Sequence, residues 1–278
     1  MKKRDLFWLD SPHRWRDSAT ISSAIVAAIE TIFAISDISL DCIWGSWSWI
    51  WRLFVIAMLF GCLAVLCFII KYFHSLKGIA LNINGMNINI IHSDLFKCKG
   101  WKVIACNEYY DTQVDDVVIA HNTIHGHFID EYVHDINALQ NIIITAAEST
   151  NYKIIRKGDK YKFALGSIIP YDGEYMLLSF THFENNQAFL SQHDYEECLR
   201  KMWQEISRTY ANKQPIFIPL LGSGITRFDV ASISDFQLLK CMLCTLKNCN
   251  IKINQPINIV LTKEKLESIN IYELKNFK

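Results

Sequence analysis

The sequence predicts a mixed α/β domain preceded by a pair of apolar helices. Two observations point to this fold class. Short β-branched or apolar runs alternate with helical periods over 79–278, and an uncharged apolar run of eighteen residues lies at 53–70. Strands separated by helices are typical of an α/β sandwich, whereas a helix that is apolar on all sides prefers lipid. We therefore expect an N-terminal segment over 1–78 and an α/β domain over 79–278.

The apolar run LFVIAMLFGCLAVLCFII predicts a membrane span at about 51–72. An eighteen-residue helix is about 27 Å long, which is close to the thickness of a bilayer core. A weaker apolar stretch predicts a first span at about 21–38, and it carries Glu30. A carboxylate alone in lipid would cost about 2.5 kcal/mol or more, so we expect Glu30 to pack inward against the second helix. The sequence leaves two alternatives open for Glu30. It is either a gating or oligomer contact, or a residue at the water-exposed edge of a tilted helix.

Charge in the short flanking loops orients this transmembrane hairpin. Five basic residues precede the first span, Lys71 and Lys77 follow the second, and Asp37 and Asp41 lie in the connection. Basic residues favour the cytoplasmic side, so we expect the N-terminus and the α/β domain to be cytoplasmic. The strong apolar block begins too late for a cleaved signal peptide.

Composition excludes two classes of protein. Lys and Arg number 28 and so do Asp and Glu, which leaves no basic patch to attract a nucleic acid. Nine cysteines at irregular spacing are too sparse for a disulfide scaffold in a chain of 278 residues. We therefore expect the cysteines to be reduced thiols that face a cytosol and not to form disulfides.

Strands and helices of the α/β domain follow from local patterns. Alternating amide and aliphatic residues over 80–91, centred on Asn84-Gly85, predict a β-hairpin. Further strands are predicted at 101–106, 161–167, 174–181, 215–221 and 257–261. Helical periods run from an N-cap at Asp194 to Ile206, over 236–246, and more briefly over 129–136.

The segment IFIPLLGSGITRFDV carries the strongest functional signal. A buried strand runs directly into Gly222-Ser223-Gly224 and then towards a helix, a junction that exposes consecutive backbone N–H groups to an anion. Arg227 stands where a dinucleotide fingerprint would have its third glycine, so this is not that motif. An ordinary tight turn is the alternative.

Two shorter patterns add candidate contacts. In IHSDLF a predicted strand ends at Asp94, whose carboxylate can accept an exocyclic amine of a base, although a turn or a helix cap is equally consistent. The acidic residues Glu108, Asp111, Asp115 and Asp116 either recognise a cationic group of a ligand or form a solvated turn.

These residues resemble the macro-domain family, which implies a three-layer α/β/α sandwich that binds ADP-ribose. Asp94 and Leu95 lie where that family contacts adenine, Asn107 lies near its ribose-side asparagine, and LGSGITR matches its phosphate loop. The whole chain, with CNEYYDTQVDD, TIHGHFI and LLGSGITRFD, looks like the membrane-bound ThsA effectors of Thoeris anti-phage defence. The ligand-binding residues that this resemblance implies are Asp94, Leu95, Asn107, Glu108, Asp111, Gly126, Leu221, Gly222, Ser223, Gly224, Ile225, Thr226 and Arg227.

The resemblance implies a function in the bacterial plasma membrane. A TIR-domain protein would make an ADP-ribose-type messenger, in this family a histidine conjugate, and its binding would drive homo-oligomers to disrupt the lipid bilayer and kill the cell. No cofactor is expected. Bulky Glu108-Tyr109-Tyr110 replaces the small residues of the hydrolytic macro domains, so we predict a sensor rather than an enzyme. The alternatives are a membrane-tethered ADP-ribosyl hydrolase and an anchored interaction domain that binds no nucleotide.

A metal centre is not predicted. His121, His125 and His127 have a spacing that matches no standard zinc pattern. Cys241, Cys244 and the nearby Cys249 fall on or beside an apolar helix stripe, where thiols usually pack as small hydrophobic groups.

Overall fold

The computed structural model describes residues 12–35, 49–75, 78–149, 155–157, 160–210, 214–229, 233–269 and 274. The chain divides into two compact units, Met1–Lys77 and Gly78–Lys278. Predictions that concern 36–48, including Asp37 and Asp41, lie outside the described residues.

The described residues of the first unit form two helices. Helix α1 spans Pro12–Ile35 and α2 spans Trp49–Ser75. The Trp15 ring stacks on Phe68 at 4.4 Å between centroids, so the start of α1 lies beside the end of α2 and the helices are antiparallel. Glu30 is exposed, and the prediction that it packs inward is wrong.

No helix within the described ranges combines the length and the apolar character that crossing a membrane requires. The structure therefore does not support the predicted spans at 21–38 and 51–72.

The second unit is built on a nine-stranded sheet in which β6 pairs with β7 beside the main path β1-β2-β11-β9-β3-β7-β8-β10. Its strands are β1 Ile79–Ile83, β2 Met86–His92, β3 Trp101–Asn107, β6 Ile168–Tyr171, β7 Tyr175–Glu184, β8 Gln187–Leu190, β9 Ile216–Pro219, β10 Arg227–Phe228 and β11 Ile257–Leu261. A separate two-stranded sheet consists of β4 Ile155–Lys157 and β5 Lys160–Lys162. The five adjacent strands β2, β11, β9, β3 and β7 run parallel.

Helices pack on both faces of this sheet. They are α3 Ile124–Tyr132, α4 Ile136–Ser149, α5 Gln192–Thr209, α6 Asp235–Asn248 and α7 Lys263–Ser268. Val103 and its strand neighbour Ile104 enter two different core clusters, because successive strand residues point to opposite faces. One cluster includes α5 and α6, and the other includes α3 and α4. The three-layer α/β/α sandwich is thereby confirmed.

Most predicted elements are present, with corrected boundaries. The hairpin forms as predicted, with Asn84 and Gly85 at φ of 52° and 79° in its turn. Helix α5 is capped by Ser191, whose hydroxyl accepts from the Asp194 N–H, so the predicted cap at Asp194 is wrong. The predicted strand at 161–167 is reduced to β5, which ends at Lys162, and the helical period over 129–136 is divided between α3 and α4.

The sheet topology places one group of loops together. Strands β3, β9 and β11 are parallel, so their carboxyl ends, at Asn107, Pro219 and Leu261, lie at the same edge. Open α/β sheets bind ligands beyond this edge.

Candidate functional site

A cavity of about 480 Å³ lies at this carboxyl edge. Four stretches supply most of its lining, namely 105–107, 116–125 except His121, 180–181 and 219–226, with Thr262 and Lys265 beside them. The volume is in the range of small-ligand sites. The cavity is therefore the candidate binding site.

The glycine loop forms one wall of the cavity. Gly222 has φ of +84°, and a Cβ built on it would lie 2.8 Å from Cζ of Phe228, so the loop needs glycine there. The neighbouring Ser223 closes the turn, because its N–H donates to the Leu220 carbonyl at 3.4 Å and its hydroxyl donates to the same oxygen at 2.6 Å. Among the described residues, the backbone N–H groups of Gly222, Gly224 and Ile225 donate no hydrogen bond. They are available to an anionic ligand.

Lys265 lies behind this loop and reaches the same wall. Its ammonium donates to the Ser223 carbonyl at 2.9 Å and also to the Ser223 hydroxyl. Burial lowers the pKa of Lys265 below its usual value, and the nearby carboxylate of Asp235 opposes that effect. Sequence reasoning missed this residue, because TKEK at the end of a strand signals only a helix start.

The opposite wall is the loop that leads into α3. Thr123 caps the helix, because its hydroxyl accepts from the Gly126 N–H at 2.9 Å and donates to the Ala120 carbonyl at 2.7 Å. A Cβ at Gly126 would lie 2.3 Å from the Ala120 oxygen. Gly126 is buried and outside the cavity lining, and it allows the helix to contact the loop closely.

Two aspartates hold this wall in shape. The Asp115 carboxylate accepts from the N–H groups of Val118 and Val117 at 2.7 and 2.9 Å, which lowers its pKa. Asp116 lines the cavity and accepts from the His121 N–H at 3.0 Å.

His125 lines the cavity from the first turn of α3. Its side chain is 9% exposed, and burial lowers its pKa from 6.5 to about 4, although the charge of Asp111 opposes this. The imidazole is therefore neutral at physiological pH, with one N–H donor and one acceptor nitrogen. Sequence reasoning considered His125 only as a metal ligand.

The end of β3 places one predicted residue in the cavity and two outside it. Asn107 lines the cavity, and its amide donates to Asp111 at 2.9 Å while its carbonyl accepts from the N–H groups of Tyr109 and Asp111. The Asp111 carboxylate also accepts from Lys160 at 2.5 Å, and it lines a separate cavity of about 340 Å³.

Glu108 is buried and belongs to a charge cluster outside the cavity lining. It accepts from Nδ1 of His182 at 2.6 Å and forms an ion pair with Lys162 at 3.0 Å. Burial favours a raised pKa, but the bonds from His182 and Lys162 outweigh it, and the pKa of Glu108 is lowered. This geometry favours a structural role.

Three further predicted residues lie outside the lining. Asp94 caps the short 3-10 helix Leu95–Lys97 by accepting from the Phe96 N–H at 3.0 Å, and Leu95 is buried in the core. Arg227 donates to Gln187 at 2.8 Å. Asn107 and the loop 221–226 are the predicted residues that the fold brings together at the cavity.

The three histidines that could suggest a metal site separate in the structure. His121 contacts Asp130 at 2.7 Å, His127 contacts Glu131 at 3.4 Å, and His125 is buried and lines the cavity. The described residues contain no group of three or more His, Cys, Asp or Glu side chains that could hold a metal ion.

The chain matches a family model and a relative among known proteins. The family model of the macro domain of the Thoeris protein ThsA matches residues 88–262. A Thoeris protein ThsA of Bacillus amyloliquefaciens (strain Y2) is 34% identical over 280 residues, which cover 95% of this chain and 89% of that relative. The family match lies within the second unit, and the similarity to the relative extends over nearly the whole chain.

Two solved structures are also similar. A mutant macrodomain of Oceanobacillus iheyensis with ADPR has a TM-score of 0.48 and 16% identity, and the match covers 72% of this chain and 98% of that one. A second mutant of the same macrodomain has a TM-score of 0.46 and 15% identity over 72% and 97% of the two chains.

Proposed function

The chain belongs to the Thoeris ThsA family and contains that family's macro domain, and on that premise we propose that it is a sensor of an ADP-ribose-derived messenger. The messenger's diphosphate would lie against the loop 222–225, and its nucleoside would lie along the apolar part of the cavity. The histidine conjugate of ADP-ribose, made by a TIR-domain protein, is the messenger we propose.

One observation carries the ligand class. Gly222, Gly224 and Ile225, whose backbone N–H groups have no hydrogen-bond partner among the described residues, line one wall of a cavity at the carboxyl edge of the sheet. Hydrogen bonds to a charged group contribute roughly 1.5–3 kcal/mol each, and micromolar binding needs about 8 kcal/mol. Three such bonds together with burial of the adenine reach that value.

The lining favours binding over hydrolysis. A general base works best when its pKa lies near the operating pH, and the pKa of His125 is about 4. Both ends of the Asn107 amide are already bonded to the turn that follows it. We therefore propose a sensor without hydrolase activity, and chromatography of the ligand after incubation with the full chain tests this, since turnover would overthrow it.

Asp116 supports a ligand with a cationic end. It is the one carboxylate among the described residues that line the cavity, and it is exposed to solvent. An opposite charge nearby favours binding of an ammonium or imidazolium group. Asp116→Asn is expected to weaken binding of the histidine conjugate several-fold and to leave ADP-ribose binding unchanged.

The output of the sensor would be at the bacterial membrane. Several apolar side chains along α2 are more than half exposed, among them Trp51, Phe54 and Ile70, and exposed apolar surface of this kind marks interaction sites. We propose that this surface contacts lipid, and that bound messenger causes homo-oligomers to disrupt the bilayer. Fractionation of cells tests the location, because recovery of the full chain in the soluble fraction alone would contradict it.

A pair of glycine variants tests the ligand site. Gly222→Ala introduces a Cβ at positive φ and against Phe228, whereas a Cβ at Gly224 meets nothing within 4 Å. Calorimetric titration of the full chain with ADP-ribose should show affinity reduced at least tenfold in Gly222→Ala and nearly unchanged in Gly224→Ala. Equal affinity in all three proteins would remove the loop from the site.

A further inference from the structure

We propose that Lys265 is the cation that binds the ligand's diphosphate, a specificity-determining residue that no motif of the sequence indicates. This inference rests on the proposed function, because it assumes a diphosphate at the loop 222–225. It adds a residue from the last helix, 42 positions after Ser223 in the chain.

The charge of Lys265 favours this role. Among the described residues that line the cavity, Lys265 is the one cationic side chain at neutral pH, since His125 is held neutral. A diphosphate brings two negative charges into a partly enclosed site, where an uncompensated charge is unfavourable. Arg227, the cation nearest in sequence to the glycine loop, donates instead to Gln187 and lies outside the lining.

The position of the Lys265 ammonium also favours this role. The ammonium of Lys265 contacts both oxygens of Ser223, the residue between Gly222 and Gly224, which both line the cavity. An ammonium has three N–H donors, and two of them are used on Ser223. The third is available to a phosphate oxygen beside the loop, so backbone donors and side-chain cation can act on one anion.

Without ligand, the surroundings of Lys265 disfavour its charged form. Burial lowers its pKa, which means that the charged form is poorly solvated. An anion at the loop would relieve this and stabilise the charged form. Affinity for a diphosphate should then fall as the pH rises through the lowered pKa of Lys265, below its usual 10.5.

A purely structural role for Lys265 makes a different prediction. A neutral amine still donates to the Ser223 carbonyl and hydroxyl, so loop positioning alone would survive deprotonation. A role that depends on the positive charge of Lys265 would be lost on deprotonation. Arginine keeps its charge at all accessible pH values, and Lys265→Arg therefore separates the two roles.

The experiment is calorimetric titration of the full chain with ADP-ribose between pH 7 and pH 10. We expect Lys265→Met to bind at least tenfold more weakly than the wild type at pH 7 and to show a flat pH profile. Lys265→Arg should stay within about threefold of the wild type at pH 7 and should keep its affinity at pH 10. Lys263→Met is the control, since Lys263 is exposed in the same helix and outside the cavity lining.

The outcomes separate the two proposals. Equal binding by the wild type and Lys265→Met, or a loss of affinity in Lys265→Arg as large as that in Lys265→Met, overturns the role of Lys265 and leaves the sensor proposal in place. Absence of binding of both ADP-ribose and its histidine conjugate by the wild type overturns the sensor proposal itself. If Lys265→Met does not fold, Lys265→Arg still decides, because a loss of tenfold or more in that variant overturns the role.

Discussion

Acidification from pH 7 to pH 4.5 should destabilise the second unit through one side chain of the cavity wall. His125 is 9% exposed, and its pKa is about 4 in the folded protein against an ordinary 6.5. Between these two values the unfolded chain binds a proton at this residue and the folded chain does not. Stability due to the neutral imidazole is therefore complete above about pH 6.5 and is lost as the pH falls towards 4.

The size of the effect follows from the two pKa values. One pKa unit corresponds to about 1.4 kcal/mol, so the loss on going from pH 7 to pH 4.5 is about 2–3 kcal/mol. That is a large fraction of the 5–15 kcal/mol that is roughly typical of a folded domain. Acidification also acts on stability through groups other than His125, and a matched variant must remove their contribution.

Urea denaturation of the full chain at pH 7 and pH 4.5, followed by tryptophan fluorescence, measures the loss. His125→Gln removes the titrating group, so the wild type should lose about 2–3 kcal/mol more than this variant over the same pH interval. His127→Gln is the control, because its half-exposed imidazole lies two residues along the same helix, and it should respond to acid like the wild type. If His125→Gln and the wild type lose the same stability, the imidazole is not held neutral and the reasoning is refuted.

One further substitution tests the wall of the site at α3, and another tests the charge cluster around Glu108. Gly126→Ala places a Cβ 2.3 Å from the Ala120 oxygen and should lower stability by about 1–3 kcal/mol and weaken ADP-ribose binding; thermal melts and titrations that match Gly224→Ala would contradict it. Glu108→Gln leaves Lys162 and His182 without their buried carboxylate and should lower stability by roughly 2–3 kcal/mol at pH 7. Because the pKa of Glu108 is lowered in the folded state, its contribution is present above pH 4.5 and is lost as the pH falls further. Urea titration beside Glu184→Gln, an exposed carboxylate at the end of β7, checks this, and equal stability of the two variants would exclude a structural role for Glu108.

Elements that depend on local chemistry were predictable from the sequence. The turn at Asn84-Gly85 requires positive φ at both residues, and Asn and Gly adopt it readily, so the hairpin follows from two residues. Helix α6 combines an apolar stripe with the capping box of Ser234 and Gln237. The cap of α5 was misplaced because Ser191 and Asp194 are both good N-cap residues, and the choice between them depends on where β8 ends.

Short edge strands were missed for a related reason. Strand β10 consists of Arg227 and Phe228 and is held by pairing with Phe189 and Leu190 of β8. A two-residue strand has no periodicity of its own, so only the neighbouring strand defines it. The same pairing carries Arg227 away from the cavity, which is why a cation beside the glycine loop in sequence does not line the site.

The candidate site was predictable where a single loop makes it. Gly222 and Gly224 indicate the candidate anion-binding wall because backbone conformation is a local property. Lys265 and His125 could not be assigned to the same cavity, since their positions depend on how β11 and α3 pack against the sheet. Asp94 illustrates the converse case, because its carboxylate is used by the turn in which it lies.

Hydrogen exchange at the glycine loop is the sharpest test of whether this loop binds the diphosphate of ADP-ribose. With ADP-ribose bound, backbone N–H groups in a peptide that covers 222–226 should exchange more slowly, because they would donate to the diphosphate instead of to water. The full chain should show this protection in Gly224→Ala and should lose it in Gly222→Ala. Unchanged exchange over 222–226, at a ligand concentration that protects other parts of the chain, would contradict the proposal that this loop holds the ligand.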